Sequence, residues 1–567
     1  MLRALLNSLR RSAPAAASPA ALTELGFDLQ KGGDVRGALA RYRQALAADP
    51  RFARAHLLAA SALLHLDETD EALIRATQAV ELMPNNADAW NVLGEAQRIL
   101  DRPAEAVVSY QRALSIAGRR NDVLNNLGAA NIALGDTRAA IRDYRDALSL
   151  APDSRTTASN LLYALLLSED ATPTEILAAH TSWAMRHAPP PAAPGTKREP
   201  RRDAPWRIGY VSADFRRHAM LSFIEPLLAG HDRRRFEIYC YSNNPVADDA
   251  TARLRGYDLE WRNIDGLADD DLLEEIATDE IDILIDLSGH TNGNRLTAFA
   301  RRLAPVQATL LGYAATTGIE AMDYRFTDGV AEPAPGVERD GTERLVRLPD
   351  CLWCFRPPDE APQAAPPPLA KNGFVTFGSF NNPAKIGDSV VAAWARVLLA
   401  TPGSHLLVAP VREQGADRLR GAFAAHGVGA ERLVFRPPQP RADFLRLAAE
   451  VDIVLDSFPC NGGATTCETL WMGVPVVALA GNAFRGRAGA SLLTCIGLGE
   501  LVASDIDHYV SLCTELAAAP ARTAQLRATM RERMRGSPLM DEARYVRAVE
   551  AAFESMIADR TGRHARR

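Results

Sequence analysis

DSFPCNGGATTCETLWMGVPVVAL, residues 456–479, reads in order as a strand end, a glycine-rich loop, a helix and a second strand. The apolar residues of VDIVL run into it, and PVVAL closes it. A strand, a short crossover helix and another strand imply parallel pairing, hence an open α/β sheet covered by helices. Asn461, Gly462 and Gly463 permit close approach of the backbone, and Thr465 and Thr466 bring hydroxyl and N–H groups to the helix start. Such a turn cradles phosphate without the lysine of a Walker motif. Glu468, about one turn further on, is placed to accept hydrogen bonds from a ribose.

Upstream, FGSFNNPAKIGDSVVAAW (377–394) repeats the theme: an apolar run over 374–380 ends in a turn, and a helix is expected from Asp388. Lys385, with Asn382 and nearby N–H groups, puts a cation beside a helix N-terminus, an arrangement that makes sense if an anion binds there. Two anion sites in one lobe, plus a carboxylate for the sugar, suggest a nucleoside diphosphate. FVTFGSF, SHLLVAP, RLVF, VDIVLDSF and PVVALAG form one group of strands. The proline-rich segment 356–373 separates them from a second group, RIGYVSADF, FEIYCYS, IDILIDLSG, ATLLGY and YRFTD. Two Rossmann-like lobes follow, with ligands expected at the carboxyl ends of the strands, in the cleft between the lobes.

The first lobe offers three loops to that cleft. His218, flanked by Arg216 and Arg217, follows the first strand and reads as a general base, an acceptor-orienting group or a structural partner. His290 and Thr291 lie with Gly289 and Asn292 in a polar loop expected to be flexible and to face the cleft. Gly312, Tyr313, Thr316 and Thr317 form a third, small-residue loop.

The first third of the chain repeats itself. Pro50, Pro84, Gly118 and Pro152 are spaced by 34 residues, and each ends a unit of one pattern. The eighth position holds Gly26, Ala60, Gly94 and Gly128, and the twentieth holds Ala38, Ala72, Ala106 and Ala140. Small residues there let two antiparallel helices approach closely, with Tyr42, Tyr110 and Tyr144 filling the space beside them. The pattern resembles the tetratricopeptide repeat, whose stacked units present a concave groove to an extended peptide. Asn126 and Asn160 occupy the sixth position of their units and are candidates to grip a peptide backbone. The expected organisation is an N-terminal extension (1–18), repeats (19–168), a helical segment and linker (169–203), an N-terminal Rossmann-like lobe (204–365), a nucleotide-sugar-binding C-terminal lobe (366–540), and a C-terminal helix and tail (541–567).

Composition removes other classes. A formal net charge of −6 gives no electrostatic footprint for nucleic acid or an anionic membrane. No apolar run approaches the roughly 20 residues of a bilayer span. Seven scattered cysteines in a chain of 567 residues suggest free thiols in a reducing, cytoplasmic setting. Cys351 and Cys354 make a CxxC that nothing completes as a zinc site.

Repeats together with GYVSADF…H, DLSGHT…NR, APVQATLLGY…TTG…DYRFTD, RLPDC, FGSFNN…KI and the glycine-rich turn resemble the protein O-GlcNAc transferase family, including its bacterial members and its SPINDLY-type branch, over about residues 19–555. The resemblance implies a GT-B fold and an inverting transfer from a nucleotide sugar, with no metal or other cofactor. It gives Lys385 the donor diphosphate, Thr465 and Thr466 the diphosphate turn, Glu468 the ribose, and His218 a base or orienting role. Asn382 stands where animal members carry glutamine, and Arg441 where they carry a lysine near the uridine. Their His-Thr-Thr is here Gly463-Ala464-Thr465, and Phe444 replaces a histidine. Transfer of N-acetylglucosamine from UDP to Ser or Thr of an acceptor protein is expected, with no metal site. GDP-fucose or UDP-glucose as donor, and an inactive repeat scaffold, are the alternatives. Self-pairing of exposed repeat helices into a homodimer is left open.

Overall fold

The computed structural model describes residues 17–189, 198–333 and 341–562. Most of the expected N-terminal extension, part of the linker and the last residues of the tail lie outside them. The chain divides into two compact units, the first ending at Pro152 and the second being Asp153–Arg567.

In the first unit, four helix pairs run from Pro19–Lys31 and Val35–Ala48 to Asn121–Leu134 and Thr137–Leu150. The repeat signature has a steric origin. A Cβ on Gly26, Gly94 or Gly128 would lie 2.6–2.7 Å from the ring of Tyr42, Tyr110 or Tyr144, so each glycine is the complement of its tyrosine. Where the second unit carries Ala60 instead of glycine, the tyrosine position is Ala76, and both are fully buried. Asn126 Nδ2 donates to Asn91 Oδ1 at 3.3 Å, which adds to the polar row a residue not picked out from the pattern.

The second unit opens with two helices, Arg155–Leu167 and Pro173–His187, which include the fifth, partial repeat. Two parallel sheets follow. The N-terminal lobe has strands β1 (Trp206–Ser212), β2 (Phe236–Ser242), β3 (Glu260–Asn263), β4 (Ile283–Asp286), β5 (Val306–Thr309), β6 (Tyr324–Asp328) and β7 (Arg344–Leu348), in the order β3-β2-β1-β4-β5-β6-β7. The C-terminal lobe has β8 (Thr376–Ser379), β9 (His405–Val408), β10 (Leu433–Phe435), β11 (Ile453–Leu455), β12 (Val476–Leu479) and β13 (Val502–Ala503), in the order β10-β9-β8-β11-β12-β13. Three strands escaped the sequence reading, β3, β7 and β13, and all three lie at sheet edges. Edge strands bury less and carry charge, so EWRN and RLVRL lack the apolar run that marks a central strand. The central strands β4, β5 and β11 are buried at every position.

The helix pair 155–187 is built into the second unit. Trp183 and Leu162 join the core with Val211, Tyr239 and Leu284 of the N-terminal lobe. On the other side Arg485 of the C-terminal lobe, 7 % exposed, donates from Nη1 to the carbonyls of Leu165 (2.7 Å), Leu166 (2.7 Å) and Ser168 (3.0 Å), and from Nη2 to that of Ala171 (2.7 Å). The C-terminal helix Glu542–Arg560 returns to the N-terminal lobe, where Glu550 Oε1 meets Nδ1 of the buried His231 at 3.0 Å. Among the described residues no helix is long and apolar enough to cross a membrane.

Candidate active site

In each sheet the order reverses between two neighbouring strands: β1 and β4 in one lobe, β8 and β11 in the other. Chains leaving such a pair diverge and open a crevice at the carboxyl ends of the strands. Four of the turns singled out in the sequence follow these strands, and the fifth, Gly312–Thr317, follows the neighbouring β5.

In the C-terminal lobe the turn after β8 ends in the 3-10 segment Pro383–Lys385. Asn382 caps it by accepting from Ala384 N at 3.0 Å, so its side chain holds its own turn. The half-buried Lys385 reaches across and donates from Nζ to the carbonyl of Asn461 at 2.7 Å. The neighbouring amide, Asn381, is buried and connects the two turns: Nδ2 donates to Asp456 Oδ1 at 2.8 Å, and Oδ1 accepts from Thr465 Oγ1 at 2.9 Å. Asn381 and Asp456 went unmarked in the sequence reading. Their one signal was position, directly past the buried ends of β8 and β11. Burial raises the Asp456 carboxyl to about 6, against the opposing pull of the Gly462 N–H, Lys385 and Asn381.

The two helices that leave these turns begin differently. Asp388–Ala400 was expected to share an anion with Lys385, but its first turn is occupied: Glu169 Oε2, from the end of the helix pair 155–187, accepts from Ser389 N at 3.0 Å and also from its hydroxyl. That helix end is closed by the protein's own carboxylate. Ala464–Trp471 starts at Gly463, with no side-chain cap. A Cβ on Gly462 would come within 2.6–2.7 Å of Thr466 Oγ1, Asn381 Oδ1 and Thr465 Oγ1, whereas one on Gly463 would meet nothing within 4 Å. Gly462 faces packed oxygen atoms and Gly463 faces open space. The open N–H groups and the Lys385 ammonium therefore flank one turn, an arrangement suited to a diphosphate.

Glu468 is buried and takes Arg441 as its partner, with Oε1 accepting from Nη2 at 2.5 Å and Nε at 3.1 Å. Arg441 Nη2 also lies 3.3 Å from Ser222 Oγ of the other lobe. The two expected donor contacts are thus bonded to each other. Phe444 meets Phe380 edge-on, ring centres 5.6 Å apart, beside them.

In the N-terminal lobe, His218 is exposed in the turn after β1. Its Nδ1 lies 3.4 Å from Met220 N and 3.5 Å from Asp214 Oδ2, and among the described residues Nε2 has no hydrogen-bond partner. The other two loops differ from expectation. His290 is buried: Nε2 donates to the carbonyl of Thr317 at 2.8 Å, and the ring sits 4.5 Å from Trp183 and 5.0 Å from His180, centre to centre. His180 Nδ1 donates to the carbonyl of Ile176 at 2.6 Å, leaving Nε2 to take the Tyr313 hydroxyl at 2.8 Å. Burial holds both imidazoles neutral, driving His180 down to about 4 and His290 well below its ordinary value, the latter helped by His180 itself. Thr316 and Thr317 are also buried; both hydroxyls, and Thr317 N, donate to the carboxylate of Glu343 at 2.5–2.7 Å. Thr291 Oγ1 donates to Ser288 O at 2.8 Å. Gly312, φ +39°, brings its backbone so close to Leu287 that a Cβ would sit 2.1 Å from that carbonyl oxygen. These loops are braced inward because distant segments supply His180 and Glu343 as partners. Thr291 and residues 292–294 do line a cavity of about 740 Å³, together with Ser159, Asn160 and Tyr163 of the helix Arg155–Leu167.

Comparison with known proteins places this geometry. The family Glycosyl transferase family 41 matches residues 184–354 and 369–549, and tetratricopeptide repeats match 29–96, 87–119 and 122–154. The chain is 39% identical over 417 residues to "Probable UDP-N-acetylglucosamine--peptide N-acetylglucosaminyltransferase SPINDLY" of Arabidopsis thaliana, covering 71% of this chain and 45% of that one. To the SEC protein of the same plant, also named a probable UDP-N-acetylglucosamine--peptide N-acetylglucosaminyltransferase, it is 29% identical, covering 62% and 37%. The chain thus spans about half the length, or less, of the curated relatives it matches. A solved variant of Thermobaculum terrenum O-GlcNAc transferase superposes with a TM-score of 0.81 at 35% identity, covering 90% of this chain and 98% of that one. A repeat solenoid, two parallel-sheet lobes and matches over both lobes lead to one conclusion: the chain belongs to glycosyl transferase family 41.

Proposed function

We propose that this chain is an inverting, metal-independent protein O-glycosyltransferase that moves N-acetylglucosamine from UDP-GlcNAc to Ser or Thr hydroxyls of acceptor proteins. The observation that carries the reading is the pairing of Lys385 with the uncapped turn at Gly463, at the switch point of the C-terminal sheet. As the bond from the anomeric carbon to the diphosphate breaks, negative charge grows on the leaving oxygen. An ammonium and a set of N–H groups fixed beside it gain strength at that moment, which lowers the barrier. The acceptor oxygen attacks the opposite face and loses its proton. His218, exposed with Nε2 unpartnered among the described residues, is the candidate to receive that proton or to orient the hydroxyl. Thr465, Thr466, Glu468 and Arg441 complete the donor side, and Glu468 turns from Arg441 to the ribose when the donor arrives. The names of the relatives, which specify a UDP-sugar donor and a peptide acceptor, favour UDP over GDP.

For the acceptor, the repeat groove with Asn126, and the cavity lined by Asn160 and Thr291, are the proposed contact surfaces. The cysteines in the structure are free thiols, which suits the cytoplasm. Calorimetry of UDP and GDP, with and without EDTA, followed by transfer from UDP-GlcNAc to a peptide panel, tests the proposal. UDP binding that EDTA leaves unchanged, and transfer with inversion, are expected. A preference for GDP would replace the donor with GDP-fucose, and binding of neither would leave a scaffold.

A further inference from the structure

Asp456 closes β11 and is 1 % exposed. Three donors converge on its Oδ1: Ser457 N at 2.9 Å, Gly462 N at 2.9 Å and Asn381 Nδ2 at 2.8 Å. Oδ2 is buried without a partner among the described residues. The corresponding residue of the other lobe, Asp286 at the end of β4, is buried to the same degree and shares its load differently. Its Oδ1 accepts from Ser288 N at 3.2 Å, and its Oδ2 from Gly289 N at 2.9 Å and Thr309 Oγ1 at 2.8 Å, so it braces one loop against the next strand. Asp456 leaves one oxygen unsatisfied, an arrangement that costs free energy, and uses the other to join two loops 75 residues apart in sequence. Through Asn381 the connection reaches Thr465 Oγ1, and through Gly462 N it reaches the turn whose Asn461 carbonyl holds Lys385.

We infer that Asp456 is a positioning residue for the donor: acting through Asn381 and Gly462, it fixes the spacing between the Lys385 turn and the Thr465–Thr466 turn, so that both meet one diphosphate. This rests on the nucleotide-sugar reading above. Asp456 touches no substrate itself; its effect passes through the groups it holds.

The full-length chain and its Asp456→Ala, Asp456→Asn, Asn381→Ala and Asp456→Ala/Asn381→Ala variants are compared by UDP calorimetry and by donor KM and kcat, with thermal melting to confirm folding. Each single alanine variant is expected to weaken UDP binding and raise donor KM by about tenfold, the scale of one well-placed hydrogen bond. The double variant is expected to lose no more than the worse single, because both remove one connection. Asp456→Asn keeps a carbonyl acceptor and is expected to stay within about threefold of the parent, a recovery that a general packing defect would not show. Unchanged UDP affinity in folded Asp456→Ala, or losses that multiply in the double variant, overturns the inference. If Asp456→Ala does not fold, unchanged affinity in Asn381→Ala overturns it equally. A parent chain that binds no UDP defeats the donor reading itself, and the inference with it, which is a different result from a parent that binds and variants that do not differ.

Discussion

The loops that follow β4 and β11 look alike on paper. Each begins with aspartate at the end of a buried strand and continues through serine into glycine and asparagine: DLSGHTNG in the N-terminal lobe, DSFPCNGG in the C-terminal. In the structure they are opposites. The first is closed at its start, its histidine packed against Trp183 and His180 and its aspartate satisfied by two local N–H groups and by Thr309 of the next strand, and only its far side, from Thr291 on, reaches a cavity. The second is open, with an uncapped helix, a glycine facing empty space and a lysine leaning in from the neighbouring turn. Polar composition alone does not distinguish a binding loop from a brace. The difference is whether a distant segment delivers partners that use up its polar groups.

The contrast can be attacked at several points. Removing the open loop's cation has the largest expected effect: Lys385→Ala should lower kcat ~10²–10³-fold, the scale seen when one transition-state donor is removed, while the protein stays folded. Full turnover would take this residue out of the reaction. The closed loop should announce itself through acid sensitivity. His180 titrates at about 4 when folded, against ~6.5 in an unfolded chain, so on acidification the unfolded chain takes up its proton first. The stability that His180 contributes is present above pH 6.5 and is lost as pH falls toward 4, on the order of 3 kcal/mol, and His290 acts in the same direction. Urea midpoints at pH 7.5 and 4.5 measure it, and a flat profile would mean that these rings are wet.

A paired substitution sharpens the steric side of the open turn. Gly462→Ala drives a methyl group into three oxygen atoms and should cost about 1–3 kcal/mol, with a rise in donor KM. Gly463→Ala should cost well under 1 kcal/mol by the same denaturation assay, since its Cβ meets nothing. Equal costs would erase the difference between the two glycines. Between those two glycines falls Glu169→Ala, which uncaps the helix Asp388–Ala400 and should remove about 1 kcal/mol. A loss of stability without any change in kcat would confine Glu169 to that helix end.

Much of this was legible in the sequence, for physical reasons. The repeat spacing could be read because glycine at the eighth position is the steric partner of tyrosine on the next helix, and steric pairs recur faithfully. The central strands could be read because a strand buried on both faces is apolar throughout. Lys385, His218 and the glycine turn could be located because ligands of such sheets gather where strands end. Edge strands such as Glu260–Asn263 escaped for want of an apolar run. What was hidden was pairing between distant segments: Glu343 with Thr316 and Thr317, Glu169 with the helix after Lys385, Arg441 with Glu468. Nothing local in those stretches reveals which of two adjacent asparagines, 381 or 382, will turn inward.

The four carbonyls gathered around Arg485 bear on how proteins of this plan can be recombined. They come from one helix end and the turn after it, and they hold a cation for which burial makes water unavailable. A graft that exchanged repeat arrays at residue 188 would strip that cage and strand the charge in the interior, a change of several kcal/mol. A junction at Pro152 leaves it whole. Arrays of different length or surface could be spliced upstream of that proline while the helices 155–187 travel with the transferase as its fixed threshold.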